Sequence, residues 1–94
     1  MTSRHELNSI IKDIEDKIFD GILPITISDC ITAHNCYDQA VVLFGREDML
    51  TLKIKDTLNS ACKRAIDRER KLYNLWVITC FVPMKTQKNM DRKN

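Results

Sequence analysis

Few residues in this chain have the types and spacing that chemistry requires. The imidazoles are His5 and His34, and only His34 has thiols close to it in the sequence, Cys30 and Cys36. Cys30 and His34 are one helical turn apart, as zinc ligands can be, but no C-x2-C pair accompanies them and the next thiol is Cys62. Residues two apart on a helix point to different sides, which argues against a Cys36–His34 catalytic dyad. We interpret Cys30, His34 and Tyr37 as lining the buried side of a helix, and we expect no metal and no cofactor.

Phosphate-binding loops and acid–base pairs are also hard to find. The chain has two glycines, Gly21 and Gly45, so neither the P-loop nor the dinucleotide-binding pattern fits. Three carboxylates, Asp13, Glu15 and Asp16, crowd one short segment. A solvated helix face explains them better than acid–base catalysis or a divalent metal site, because surface charge is the commonest use of such residues. We therefore predict that the protein is not an enzyme.

The charge is distributed unevenly along the 94 residues. The formal net charge is +2, but residues 1–50 carry −5 and residues 51–94 carry +7. Such asymmetry is typical of a surface for an oppositely charged partner, or of halves that attract each other in a fold or an oligomer. The basic candidates for contacting nucleic acid or an acidic partner are Lys63, Arg64, Arg68, Arg70 and Lys71.

Targeting and membrane signals are not evident in the sequence. The first six residues lack the apolar core of a secretory signal. The longest apolar stretch, residues 75–82 with Thr79 inside it, is shorter than the ~20 residues that span a bilayer. We expect no membrane association and a cytoplasmic location, where the four cysteines stay reduced and serve as small core residues.

An amphipathic helix over about residues 4–20 is the strongest structural pattern. Ser3 and Glu6 have the spacing of a capping box. Gly21 stands where a helix commonly ends with positive φ, and Pro24 prevents the helix from resuming. The apolar positions on one side of this predicted helix are Leu7, Ile10, Ile11, Ile14 and Ile18.

The rest of the sequence predicts an α+β fold. A second helix is expected over about residues 27–38, followed by a β-hairpin over residues 40–55. A third helix is predicted from Asp56 or Thr57, and a buried final strand over residues 75–82. Residues 1–83 would form one globular domain, and residues 84–94 a polar basic tail without fixed structure.

An all-α fold of three helices is the alternative. Leu50, Ile54, Leu58 and Trp76 keep one helical phase, which suits a long C-terminal helix from Glu47 to beyond Trp76. The mixed fold is favoured because other apolar residues would lie off that stripe. These are Leu52, Val77, Ile78 and Phe81.

The sequence thus predicts a small non-catalytic protein-binding module, such as a regulator, an adaptor or an inhibitor of another protein. A homo-oligomer is one form this could take, because the two halves are opposite in charge. Tyr73, Trp76 and Phe81 are the aromatic residues that could anchor a partner. The alternative is a nucleic-acid-binding protein that uses the basic C-terminal half.

Overall fold

The computed structural model describes residues 3–80, and within this range it contains four helices and no strand. They are α1 (Arg4–Asp20), α2 (Ile27–Phe44), α3 (Met49–Arg64) and α4 (Asp67–Thr79). The start of α1 lies beside the start of α3, where Arg4 binds Asp48, and the start of α2 lies beside the start of α4, where the Ile27 amide donates to Glu69.

The first helix is confirmed at both ends. The Ser3 hydroxyl accepts a hydrogen bond from the Glu6 amide at 3.2 Å. Gly21 ends the helix with φ +66° and donates its amide to the Lys17 carbonyl. A residue with a Cβ would be strained at that φ, which explains the glycine.

The predicted β-hairpin is wrong, and with it the α+β fold class. Residues 40–44 complete α2, and residues 49–55 begin α3. Asp48 caps α3 by accepting from the Leu50 amide at 3.0 Å. Arg4 holds Asp48 through two hydrogen bonds of 2.8 Å and lies over the Phe44 ring. The preference of a residue for strands largely reflects its packing context. Burial and helix capping therefore determine that residues 40–55 are mostly helical, although several of them are of types common in strands.

The predicted third helix begins at the wrong residue, and the predicted final strand is wrong because its described part is helical. Asp56 and Thr57 lie inside α3 and do not begin a helix. Of the predicted strand, residues 75–79 belong to α4, Cys80 follows that helix, and residues 81–82 lie outside the described range. The predicted tail, residues 84–94, also lies outside it.

The all-α alternative has the right class but joins two helices into one. Ala65 and Ile66 adopt extended backbone conformations with ψ of 142° and 157°, which separate α3 from α4. The break lets α4 pack beside α2 instead of continuing along the axis of α3.

The core is centred on α2, which packs against each of the other three helices, while α1 also packs against α3. The side chains that α2 buries completely or nearly so are small, and this allows its neighbours to approach closely. They are Cys30, Ala33, Cys36 and Ala40. Leu7 and Ile11 of α1 and Ile54 of α3 fill the space between the helices and are fully buried.

None of the helices in residues 3–80 has the length and apolar character needed to cross a membrane.

The buried hydroxyls of α3 give a matched test of this packing. Thr57 donates to the Lys53 carbonyl at 3.0 Å, whereas the fully buried Thr51 hydroxyl has no hydrogen-bond partner among residues 3–80. Thr51→Val removes an unsatisfied polar group at constant shape and should raise the free energy of unfolding by about 1 kcal/mol. Thr57→Val should not raise it. Urea denaturation measures both, and a loss of stability in Thr51→Val would contradict the packing described.

Candidate functional site

The thiol and imidazole pattern of α2 forms part of the packing against α4. Cys30 and Cys36 are buried, and His34 is half-buried. The His34 Nδ1 and the Tyr73 hydroxyl are 2.6 Å apart and share a hydrogen bond. The His34, Tyr73 and Trp76 rings lie with centroids 5.6 to 6.1 Å apart. Tyr73 and Trp76, predicted as anchors for a partner, therefore attach α4 to α2.

The buried thiols are poor nucleophiles. Burial raises the pKa of the Cys30 thiol to about 12. Burial also raises the pKa of the Cys62 thiol, and the interactions of that thiol with Cys30, Tyr73 and Arg70 only partly oppose this. The thiolate is the reactive form, so these cysteines are inert near neutral pH. Between residues 3 and 80, no three His, Cys, Asp or Glu side chains are grouped so that they could hold a metal ion.

The five basic residues singled out in the sequence do not share one surface role. Arg70 joins the two helices at the α3–α4 turn. Its guanidinium donates to the carbonyls of Cys62 at 2.9 Å, Lys63 at 3.1 Å and Ala65 at 3.1 Å. These carbonyls belong to the end of α3, where helices leave acceptors unsatisfied. Arg70 is therefore a structural residue that closes α3.

The other four basic residues are exposed and fall into separate places. Arg64 lies at the end of α3 beside α1, where it borders two adjacent clefts. Arg68 and Lys71 lie on the exposed side of α4, and Lys63 is exposed at the end of α3. The predicted cluster is thus divided between two helices. Arg70, in its middle, is held by the carbonyls at the end of α3.

The larger cleft, of about 630 Å³, lies between α1 and α3 and is acidic. Three carboxylates, Glu15, Asp16 and Asp56, line it together with Arg64. Glu15 lies 3.6 Å from the Lys53 ammonium, whereas Asp16, Asp56 and Arg64 form no ion pair with any residue from 3 to 80. We call this the acidic cleft. It leaves a surplus of negative charge open to solvent.

A group of exposed apolar side chains adjoins the acidic cleft. Phe19 lines the acidic cleft and is 89% exposed. Ile22, Leu23 and Ile66 line the second cleft, of about 320 Å³, and are 83%, 62% and 56% exposed. The two clefts share Ile18 and Arg64, so the exposed apolar residues border two adjoining clefts. We call these residues the apolar end surface, comprising Phe19, Ile22, Leu23 and Ile66.

Sequence reasoning missed this surface, although a signal was present. Connections between helices are usually polar, but the segment from Gly21 to Ile25 carries three large apolar side chains, and only Ile25 is buried. Gly21 and Pro24 had been interpreted only as stop signals for α1. Ile22 and Leu23, which lie between Gly21 and Pro24, are the residues that indicate an exposed apolar surface.

Comparison of the chain with protein-family models, with curated proteins and with solved structures finds no match.

The role of Arg70 can be tested against Arg68, its exposed neighbour on α4. Arg70→Met keeps most of the side-chain stem but removes the donors to the three carbonyls. We expect the free energy of unfolding to fall by roughly 1 to 3 kcal/mol, as for hydrogen bonds made by a charged group. Arg68→Met should change it by less than about 0.5 kcal/mol. Thermal denaturation followed by circular dichroism compares them, and equal stability of the two variants would contradict the structural role.

The half-buried position of His34 predicts that the free energy of unfolding depends on pH. Burial lowers the pKa of His34 below its ordinary value, and Asp38 only partly opposes this. The ordinary histidine pKa is about 6.5. Below that pH the unfolded chain binds more protons than the folded chain does. The free energy of unfolding therefore falls as the pH is lowered. His34→Gln should flatten this fall, measured by urea denaturation between about pH 5.5 and pH 7.5. The exposed His5→Gln is the control, and an unchanged slope in His34→Gln would refute the prediction.

Proposed function

We propose that this protein is a non-catalytic protein-binding module whose binding site is the apolar end surface together with the acidic cleft. One observation carries the proposal, namely that four large apolar side chains, each more than half exposed, line two adjoining clefts. Single exposed apolar residues are normal on a protein surface. A contiguous group rimmed by polar residues is typical of a surface that another protein covers.

The composition of the site supports a protein partner. Phe19 projects from the last turn of α1 and is almost fully exposed, so a partner would bury most of its ring. Buried aromatic and apolar anchors at the centre of an interface supply most of its binding energy. The carboxylates of the acidic cleft stand at the rim, where charge chiefly sets partner choice and the rate of association. The site thus has both an apolar anchor, Phe19, and a charged rim, the carboxylates of the acidic cleft.

The residues from 3 to 80 offer less support for nucleic-acid binding. The guanidinium of Arg70 is occupied by carbonyls, and Arg64 stands beside the carboxylates of the acidic cleft. Lys63, Arg68 and Lys71 remain exposed. Three exposed cations on two helices are a small footprint for tracking a phosphate backbone, where affinity grows with the number of phosphates neutralised. We therefore propose a regulator, an adaptor or an inhibitor of another protein as the role.

The cytoplasm is the location that suits this role. The four cysteines are unpaired, and Cys80 is exposed. A reducing compartment keeps such thiols from forming disulfides.

Site-specific photo-cross-linking in the cells of origin tests the proposal. A benzophenone amino acid replaces Phe19 in one protein and Met49 in a control. Met49 is equally exposed, at 85%, but belongs to the first turn of α3, at the opposite end of the bundle. We expect discrete protein adducts from position 19 and none of the same mass from position 49. The same adducts should disappear when Ile22 and Leu23 are both replaced by Ser.

Two results would contradict the proposal. Equal adduct patterns from positions 19 and 49 would show that the apolar end surface has no preferred partner. Adducts that vanish after nuclease treatment would favour the nucleic-acid alternative. Either result can be read directly from the masses of the cross-linked species.

A further inference from the structure

The side of α4 that faces away from α2 is an amphipathic surface that no other part of residues 3–80 covers. Leu72, Leu75 and Ile78 are 42%, 56% and 80% exposed. Arg68 lies four residues before Leu72, and Lys71 four before Leu75, so these basic residues share the same side of the helix. We call this the outer face of α4, comprising Arg68, Lys71, Leu72, Leu75 and Ile78.

The outer face of α4 complements the proposed binding site in both charge and polarity. It places two exposed cations beside three apolar side chains. The acidic cleft places three carboxylates, two of them without an ion pair in the described part of the chain, beside Phe19. An amphipathic helix laid into an apolar groove is a common mode of protein recognition. Arg68 and Lys71 would meet Asp16 and Asp56, and the leucines would cover Phe19.

The two surfaces cannot meet within one chain. α4 packs against α2 with its opposite side, through Tyr73 and Trp76, whereas the acidic cleft lies between α1 and α3. The turn at Ala65 and Ile66 is held by Arg70 and fixes this arrangement. A contact between the two surfaces therefore has to join two molecules.

We propose that the apolar end surface and acidic cleft of one molecule bind the outer face of α4 of a second copy of this chain. The inference rests on the proposed function, because it names the partner of the same site. Such a contact is heterologous: each molecule carries one donor and one acceptor surface. Association then continues beyond a dimer into a ring or an open chain of molecules.

Sedimentation velocity over a concentration series tests self-association. The full-length protein should shift from monomer to a series of larger species as its concentration rises to about 500 µM, a range that detects dissociation constants near 0.1 mM. Raising the salt concentration from about 0.05 M to about 0.5 M should weaken the association, because the opposed charges become screened.

Two complementary variants identify the surfaces. Asp16→Lys with Asp56→Lys disables the cleft, and Arg68→Glu with Lys71→Glu disables the outer face of α4. Each double variant should associate at least about tenfold more weakly than wild type, which corresponds to about 1.4 kcal/mol. Glu47→Lys and Lys55→Glu, exposed charges outside the cleft and outside α4, are the controls and should associate as wild type does.

Mixing the two variants gives the decisive result. Each variant keeps one native surface, and its reversed surface is opposite in charge to the reversed surface of the other variant, so the mixture should regain association that neither variant shows alone. Circular dichroism of each variant confirms that the helices are retained, since all four positions are exposed. A monomeric wild type, variants that associate normally, or a mixture that stays monomeric would each overturn the inference. The proposed function would survive those results if position 19 still cross-links to a different protein, and fail if it cross-links to none.

Discussion

The packing of three helices around α2 is the constraint on which the rest of the structure depends. Helix axes can approach within about 8 to 10 Å when the side chains between them are small, and Ala33, Cys36 and Ala40 provide this on α2. The beginning of α2 is fixed by partners from three elements. Thr26 and Asp29 form its capping box, Asp29 binds Lys17 of α1 at 2.7 Å, and the Ile27 amide donates to Glu69 of α4. The start of α2 is therefore held by its own cap and by contacts with α1 and α4.

The helix α1 could be predicted from sequence because every local signal agreed, from the Ser3 cap to Gly21. The start of α2 at Ile27 was also predicted, but its end at Phe44 was not, because the valines near residue 41 suggest a strand when viewed alone. The break at Ala65 has no glycine or proline to mark it. Its signal is a change of charge, from Lys63 and Arg64 at the end of one helix to Asp67 at the start of the next, which suits both helix dipoles.

The same break creates both parts of the candidate site. By ending α3 at Arg64, it leaves that guanidinium beside α1 at the border of the two clefts. By exposing Ile66 in the turn, it adds an apolar side chain to Ile22 and Leu23 from the other connection. The basic residues that look like one cluster in the sequence are distributed by this turn among separate roles. Residues 63–71 are close in the sequence, but the turn at Ala65 and Ile66 prevents their basic side chains from forming one surface.

The sparse attachment of α4 has a consequence for how the molecule opens. Tyr73 is the only buried residue of α4, and α4 contacts the remaining helices chiefly through α2. Detaching it would uncover little apolar area, so a sub-global opening in which α4 separates costs less free energy than complete unfolding. The amide protons of α4 would then exchange with solvent ahead of those in α1, α2 and α3. We therefore expect α4 to open before α1, α2 and α3 do.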